Sequence, residues 1–366
     1  MAREKLDQLL QLVCQVEGSD LHLKAGSPPR IRVDGSLRTL DEPTLTDVET
    51  EELALAILPP ELSETFSSRH EADFAYTLDG IGRFRVNAFR QRGSVAMVMR
   101  RVRLAVGEFA ELGLPPAVRV LSEEQRGLVL VTGPTGSGKT TTLATMIDHI
   151  NHTRECQIIT IEDPIEVLHS DALAAINQRE VGFDTTDFHA ALRAAMRQDP
   201  DVILVGEMRD TETVETALTA AETGHLVLST LHTIDATETV NRIVDLFPPH
   251  QQHQARVALA GSLRGTICQR LVPLADGSGR VPALEIMVVN GRIQECILDP
   301  LRGGEIKDII AEGDYYGMMT FDQSLVELFA DGRISMRSAM ASASNPHDLK
   351  VLLQQRGLIS ATARAS

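Results

Sequence analysis

Eight consecutive residues, Gly133, Pro134, Thr135, Gly136, Ser137, Gly138, Lys139 and Thr140, have the types and order that suit one kind of chemistry, the holding of a polyphosphate. Glycines let successive backbone N–H groups turn inward around an anion, and a helix starting at the end of the loop adds the positive end of its dipole. A lysine at the seventh position reaches the β- and γ-phosphates. The hydroxyl of Thr140 suits Mg2+, a hard cation that takes oxygen ligands, and Thr141 follows in the same turn. A glycine-rich turn without function is the alternative, and the apolar strand before the loop and the helical pattern after it argue against that. The loop implies ATP and Mg2+, and by itself leaves an ATPase, a small-molecule kinase and a nucleic-acid motor open.

Two acidic segments bear on that choice. Asp201 to Glu207 is an apolar strand ending in a carboxylate, placed where the C-terminal edge of a parallel sheet presents it beside the phosphates. Glu207 is therefore a second metal-side candidate with Thr140. Ile161 to Glu166 gathers three carboxylates around Pro164, a density that favours a nearby cation or a catalytic purpose over a solvated turn. One of them is suited to orienting the water that attacks the γ-phosphate.

The elements that must position these groups follow from periodicity. Leu128 to Val131, Ile158 to Ile161, Val202 to Val205 and Leu226 to Thr230 are short apolar strands. Between them Phe188, Ala191, Leu192 and Ala195, and then Val214, Ala217, Leu218 and Ala221, fall on single helical faces. The alternation predicts a largely parallel sheet covered by helices, beginning near residue 124. Before it, an amphipathic helix in the N-terminal stretch 1–15, a hairpin around Gly26 to Pro29 and another from Gly82 to Val102 predict a small α/β domain over 1–103. Residues 104–123, with Gly107, Gly113, Pro115 and Pro116, break both periodicities and read as a linker and hinge. The ATPase region is expected over 124–345, and 346–366 as a helix end and a mobile tail.

Composition narrows the function classes. The 366 residues include 51 acidic and 35 basic side chains, a formal charge of −16, which argues against broad binding to nucleic acid or an anionic lipid surface. Four separated cysteines suggest neither a zinc module nor a disulfide framework. No apolar run reaches membrane length and the N-terminus reads as an amphipathic helix, so a cytoplasmic protein that does not span the membrane is expected.

Taken together, the phosphate loop, the acidic box at 160–166, Asn-Gln-Arg-Glu at 177–180, the segment 198–210 and the two stretches at 221–226 and 230–233 resemble the type II/IV secretion-system ATPase superfamily, most closely its pilus-retraction branch. Ser19 to Leu23 and Gly82 to Asn87 extend the likeness into the first domain. The resemblance implies a PAS-like α/β domain followed by a RecA-like P-loop ATPase domain with a mostly parallel sheet and a helical C-terminal part. It also implies Glu166 as the water-polarising base, Glu207 as the Walker B acid, and His232, with His225 nearby, as a phosphate sensor. Arg193 and Arg197, and Arg85 and Arg100 from the first domain, are implied to sense nucleotide. Read from spacing alone, the first two are an i,i+4 pair on one helix face and the others are exposed strand positions.

The same resemblance implies a homo-hexamer, driven by nucleotide-dependent domain closure, that acts on a type IV pilus base and its inner-membrane platform protein, docked at the cytoplasmic face, and so powers twitching motility. Retraction motors carry the segment AIRNLIRE, whereas Arg292 to Asp299 here keeps the apolar spacing and lacks that motif's basic residues at their places. A longer N-terminal region and a four-cysteine zinc module, typical of extension and secretion motors, are both lacking. An extension or secretion ATPase and a slow nucleotide-gated scaffold stay as alternatives.

Overall fold

The structure, a computed structural model, describes residues 2–33, 35–102 and 106–360. Its chain divides into two compact units, Met1–Ala105 with Glu166–Leu168, and Val106–Ile165 with His169–Ser366.

The first unit opens on the helix Ala2–Gln15, whose Leu6, Leu9, Leu10 and Val13 make a buried stripe at one-face spacing. Six antiparallel strands follow: β1 (Asp20–Lys24), β2 (Arg30–Val33), β3 (Ser36–Thr39), β4 (Glu71–Leu78), β5 (Gly82–Gln91) and β6 (Ser94–Arg101). They lie in the order β3-β2-β1-β6-β5-β4. Alternation sends Leu21, Leu23, Phe84, Val86, Met97 and Met99 into the core. On the other face Asp20 stands opposite both Arg32 and Arg100, and Arg100 stands opposite Arg85. The helix Asp47–Leu55 is fixed at its start by a reciprocal capping box between Thr46 and Glu49.

The second unit is built on a seven-stranded sheet: β7 (Gly127–Thr132), β8 (Gln157–Glu162), β9 (Ala175–Glu180), β10 (Val202–Val205), β11 (Leu226–Leu231), β12 (Leu263–Pro273) and β13 (Arg280–Val288). The order is β13-β12-β7-β11-β10-β8-β9, parallel throughout except for the β12–β13 hairpin. β7, β10 and β11 are buried along their whole length, as continuous apolar strands covered on both faces must be. The expected fold class holds: a PAS-like antiparallel unit and a RecA-like, mostly parallel α/β unit.

Two features differ from the sequence reading, and a third accords with it. Part of the segment read as a linker is core: Pro116–Ser122 is a helix, and Leu114, Val118 and Leu121 pack against Val129, Leu143 and Met146. The prolines that read as breakers occupy the helix start, where the missing N–H is unsatisfied in any case. Residues 104 and 105 of that segment, and 103 before it, lie outside the described residues. The C-terminal part expected to be helical includes the β12–β13 hairpin: the helices Ala236–Asp245 and Gln252–Ser262 precede it, and Gly291–Leu298, Phe321–Ala330 and Met336–Ser342 are among those that follow. Finally, Pro346–Gln355 is a helix anchored by buried Leu349 and Leu353, and the last six positions of the expected mobile tail, 361–366, lie outside the described residues.

The departure segment folds as its apolar spacing requires. Ile293, Cys296 and Ile297 are buried on the helix Gly291–Leu298, and Arg292 turns outward to Glu312 at 3.0 Å.

Candidate functional site

Four adjacent parallel strands end on one edge of the second unit's sheet, and each end carries a polar group. β7 runs into the loop 133–138 and the helix Lys139–Thr153, β11 into His232, β10 into Gly206 and Glu207, and β8 ends at Glu162. Hydrogen bonds hold these ends in register: Ser229 Oγ donates to the Val205 carbonyl at 2.7 Å, Thr230 Oγ1 to that of Gly206 at 2.7 Å, and the backbone N–H of Gly206 to that of Ile161 at 2.7 Å.

The loop is tightly wound. Gly133 has φ of +142°, and a Cβ there would lie 2.3 Å from the carbonyl oxygen of Gln269 on β12. Gly138, at φ of +94°, caps the following helix, and a Cβ there would lie 2.6 Å from Gln269 Nε2. Both positions therefore demand glycine on conformational and steric grounds. Lys139 Nζ folds back over the loop and donates to the carbonyls of Gly133 at 2.8 Å and Pro134 at 3.1 Å. Thr140 and Thr141 are half-buried in the first turn. The Ser137 hydroxyl is buried and has no hydrogen-bond partner, an orphaned oxygen inside the loop. Pro134, Thr135, Gly136 and Ser137 form one wall of a cleft of about 420 Å³, with Arg270 and Arg280 among the residues facing them. Arg270 is held there by the Phe321 ring, 3.9 Å from its guanidinium carbon, and by the Ser342 carbonyl at 3.1 Å.

Beside the loop Glu207 joins two partners: Oε1 lies 3.2 Å from His232 Nε2 and Oε2 2.8 Å from Arg209 Nη2. Partial burial pushes the Glu207 carboxyl up, but the Arg209 bond and charge, with His232, more than offset it, so it lies below the usual carboxylate range. Of the acidic box, Glu162 is buried and accepts from Thr160 Oγ1 at 2.6 Å and Gln178 Nε2 at 3.1 Å. It is satisfied by protein donors, which accounts for one of the three crowded carboxylates without a cation. Asp163 is exposed and adds its field to that of Glu207 on Arg209.

A strand-bounded phosphate loop with a carboxylate two strands away is shared by many proteins. The model of the type II/IV secretion system protein family matches residues 2–300. The chain belongs to that family. It is 44% identical over 343 residues to the type IV pilus retractation ATPase PilT of Pseudomonas aeruginosa, covering 94% of this chain and 99% of the relative. To a twitching motility protein of Neisseria gonorrhoeae it is 43% identical over 321 residues, 88% of this chain and 86% of the relative. A crystal structure of the pilus retraction motor PilT with bound ADP matches with a TM-score of 0.85 at 44% identity, covering 94% of this chain and 99% of that one.

Against this family's expected site, the structure brings together the loop, Glu207 and His232. It separates His225, which sits at the opposite end of β11, where its Nδ1–H donates to the Ala220 carbonyl at 2.9 Å. At about 3.3 Å per residue a full strand lies between the two histidines, so His225 belongs to a helix terminus and not to the phosphate edge. Arg193 and Arg197 are exposed, and Arg197 Nη1 donates to the Arg193 carbonyl at 3.0 Å. Glu166 is exposed and falls within the first unit. Arg85 and Arg100 are exposed on that unit's sheet, where Arg100 Nε donates to the buried Asp20 carboxylate at 2.8 Å. Three contributors escaped the sequence reading: Arg209, two residues after Glu207 in a segment already singled out, and Gln269 and Arg270, which carry no local signal.

Proposed function

We propose that this chain is the subunit of a Mg2+-dependent ATPase motor that retracts a type IV pilus. The observation that carries the reading is the common sheet edge, where the loop, Glu207 and His232 meet at the ends of neighbouring strands, in a chain alike over nearly its whole length to retraction motors. The loop's N–H groups and the helix Lys139–Thr153 receive the phosphates, and Lys139 exchanges its two carbonyl partners for phosphate oxygens.

The oxygen donors of Thr140 and Glu207 fit Mg2+, which takes hard ligands and keeps several waters. Glu207, whose oxygens each keep a lone pair beside the bond to Arg209 or His232, would help hold the cation through the waters that Mg2+ retains. Mg2+ when bound would neutralise charge developing on the phosphates. His232, hydrogen-bonded to Glu207, reports the phosphate state to the helix that follows it. Glu166 is assigned the orientation of the attacking water, and Arg85, Arg100, Arg193 and Arg197 the sensing of nucleotide, on the family resemblance. The cleft beside the loop offers room for the ribose and base.

The motor works as a homo-hexameric ring against an inner-membrane platform protein at the pilus base, from the cytoplasmic side. Among the described residues no helix is long and apolar enough to cross a membrane. Deleting the gene and counting surface pili tests the direction of movement. Excess unretracted pili are expected, whereas bald cells would assign the chain to extension.

A further inference from the structure

We propose that Gln269, on β12, is a positioning residue that aims a phosphate-binding N–H of the loop. Its side chain is buried at 3% exposure and both ends of the amide are used. Nε2 donates to the Ser137 carbonyl at 2.7 Å, and Oε1 accepts from Thr142 Oγ1, in the first turn of the following helix, at 2.8 Å. The backbone carbonyl of the same residue closes on Gly133, and its Nε2 stands where a Cβ of Gly138 would be. One residue, more than a hundred positions away in sequence, thus touches the beginning, the end and the outgoing helix of the loop.

The contact with Ser137 matters most, because a peptide group is planar and trans, so its C=O and the next N–H point in opposite directions. Pulling the Ser137 carbonyl toward β12 turns the Gly138 N–H away from β12, to the side on which an anion is received. A loop without that restraint would present this donor only part of the time, and nucleotide affinity falls by the fraction of time it is misdirected. The bond to Thr142 ties Gln269 to the helix and does not orient a donor. The pairing of β12 with β7, Cys268 opposite Thr132, sets Gln269 level with Gly133 and makes the reach possible.

This inference rests on the nucleotide reading of the loop. It is tested by titrating Mg-ADP into the full-length parent chain and into Gln269→Met, Gln269→Glu and Thr142→Val. Met keeps the length and volume while losing both polar ends. Glu keeps an acceptor for Thr142 but no donor for Ser137. Loss of one orienting hydrogen bond predicts binding weakened by about tenfold or more in both Gln269 variants. Thr142→Val, which removes only the helix tie, should stay within about threefold of the parent by the same reasoning. Should Gln269→Met fail to fold, Gln269→Glu against Thr142→Val carries the comparison. Gln269→Glu binding as tightly as the parent, or Thr142→Val losing as much as Gln269→Glu, overturns the proposal. A parent chain that binds no ADP overturns it together with the nucleotide reading, which makes the two failures distinguishable.

Discussion

Single residues in this protein act in pairs. Glu207 is useful because Arg209 and His232 keep it ionised and aimed, and a neutral isostere cannot hold the same partners. Glu207→Gln is expected to cost about 10–100-fold in ATP turnover, as loss of an outer-shell partner of a metal does, while Mg-ADP still binds. Comparing kcat with the ADP dissociation constant checks this, and parallel losses in both would contradict it. Glu285 shows the opposite electrostatics. It is buried on β13, accepts the Ala236 N–H at 2.9 Å at the start of the helix Ala236–Asp245, and burial pushes its carboxyl above the usual range. A raised folded value means that the folded chain holds the proton more tightly than the unfolded one. Stability on this account is undiminished below the unfolded carboxyl range and declines as pH rises through the folded value. Glu285→Gln, which keeps an acceptor for Ala236, should be more stable than the parent at pH 7 to 8, with the gap closing toward pH 4. Thermal midpoints across that range decide it, and a gap that widens in acid would refute it.

Among the elements, the sequence made the parallel strands legible and the hairpin beside them obscure, for a physical reason. β7, β10 and β11 stand between turn signals and helical patterns, so length and flanks identify them. β12 and β13 are buried on both faces for most of their length, so no alternation marks them, and their pairing becomes visible only in three dimensions. The phosphate loop was legible to the residue because its donors are contiguous. Gln269 was not, since its role depends on a register between strands 130 or so residues apart, the pairing of Cys268 with Thr132. The helix Pro116–Ser122 was hidden by its own start signal, read as a break. Glycines separate by the same logic of surroundings. Gly133→Ala drives a Cβ into the Gln269 carbonyl and should lower the thermal midpoint and abolish ADP binding. Gly261→Ala, in the helix Gln252–Ser262 with nothing within 4 Å of the added methyl, should stabilise by about 0.5–1 kcal/mol. Denaturant unfolding of the two variants checks the opposite signs.

For the whole molecule, the charge of −16 and the family membership point away from a nucleic-acid translocase built on a similar core, and toward a motor whose work is done on protein partners. The loop on its own is compatible with a kinase or a passive nucleotide-gated scaffold. A motor must in addition turn ATP over, and it must do so at the edge where Lys139, Glu207 and His232 are gathered. Steady-state phosphate release by the purified full-length chain in Mg2+ and ATP, run beside Lys139→Ala, is the most direct test. Sustained release by the parent, lost in Lys139→Ala and on chelating the Mg2+, is the predicted result. No turnover by the parent, or equal turnover by both proteins, would contradict the assignment of this edge as the engine.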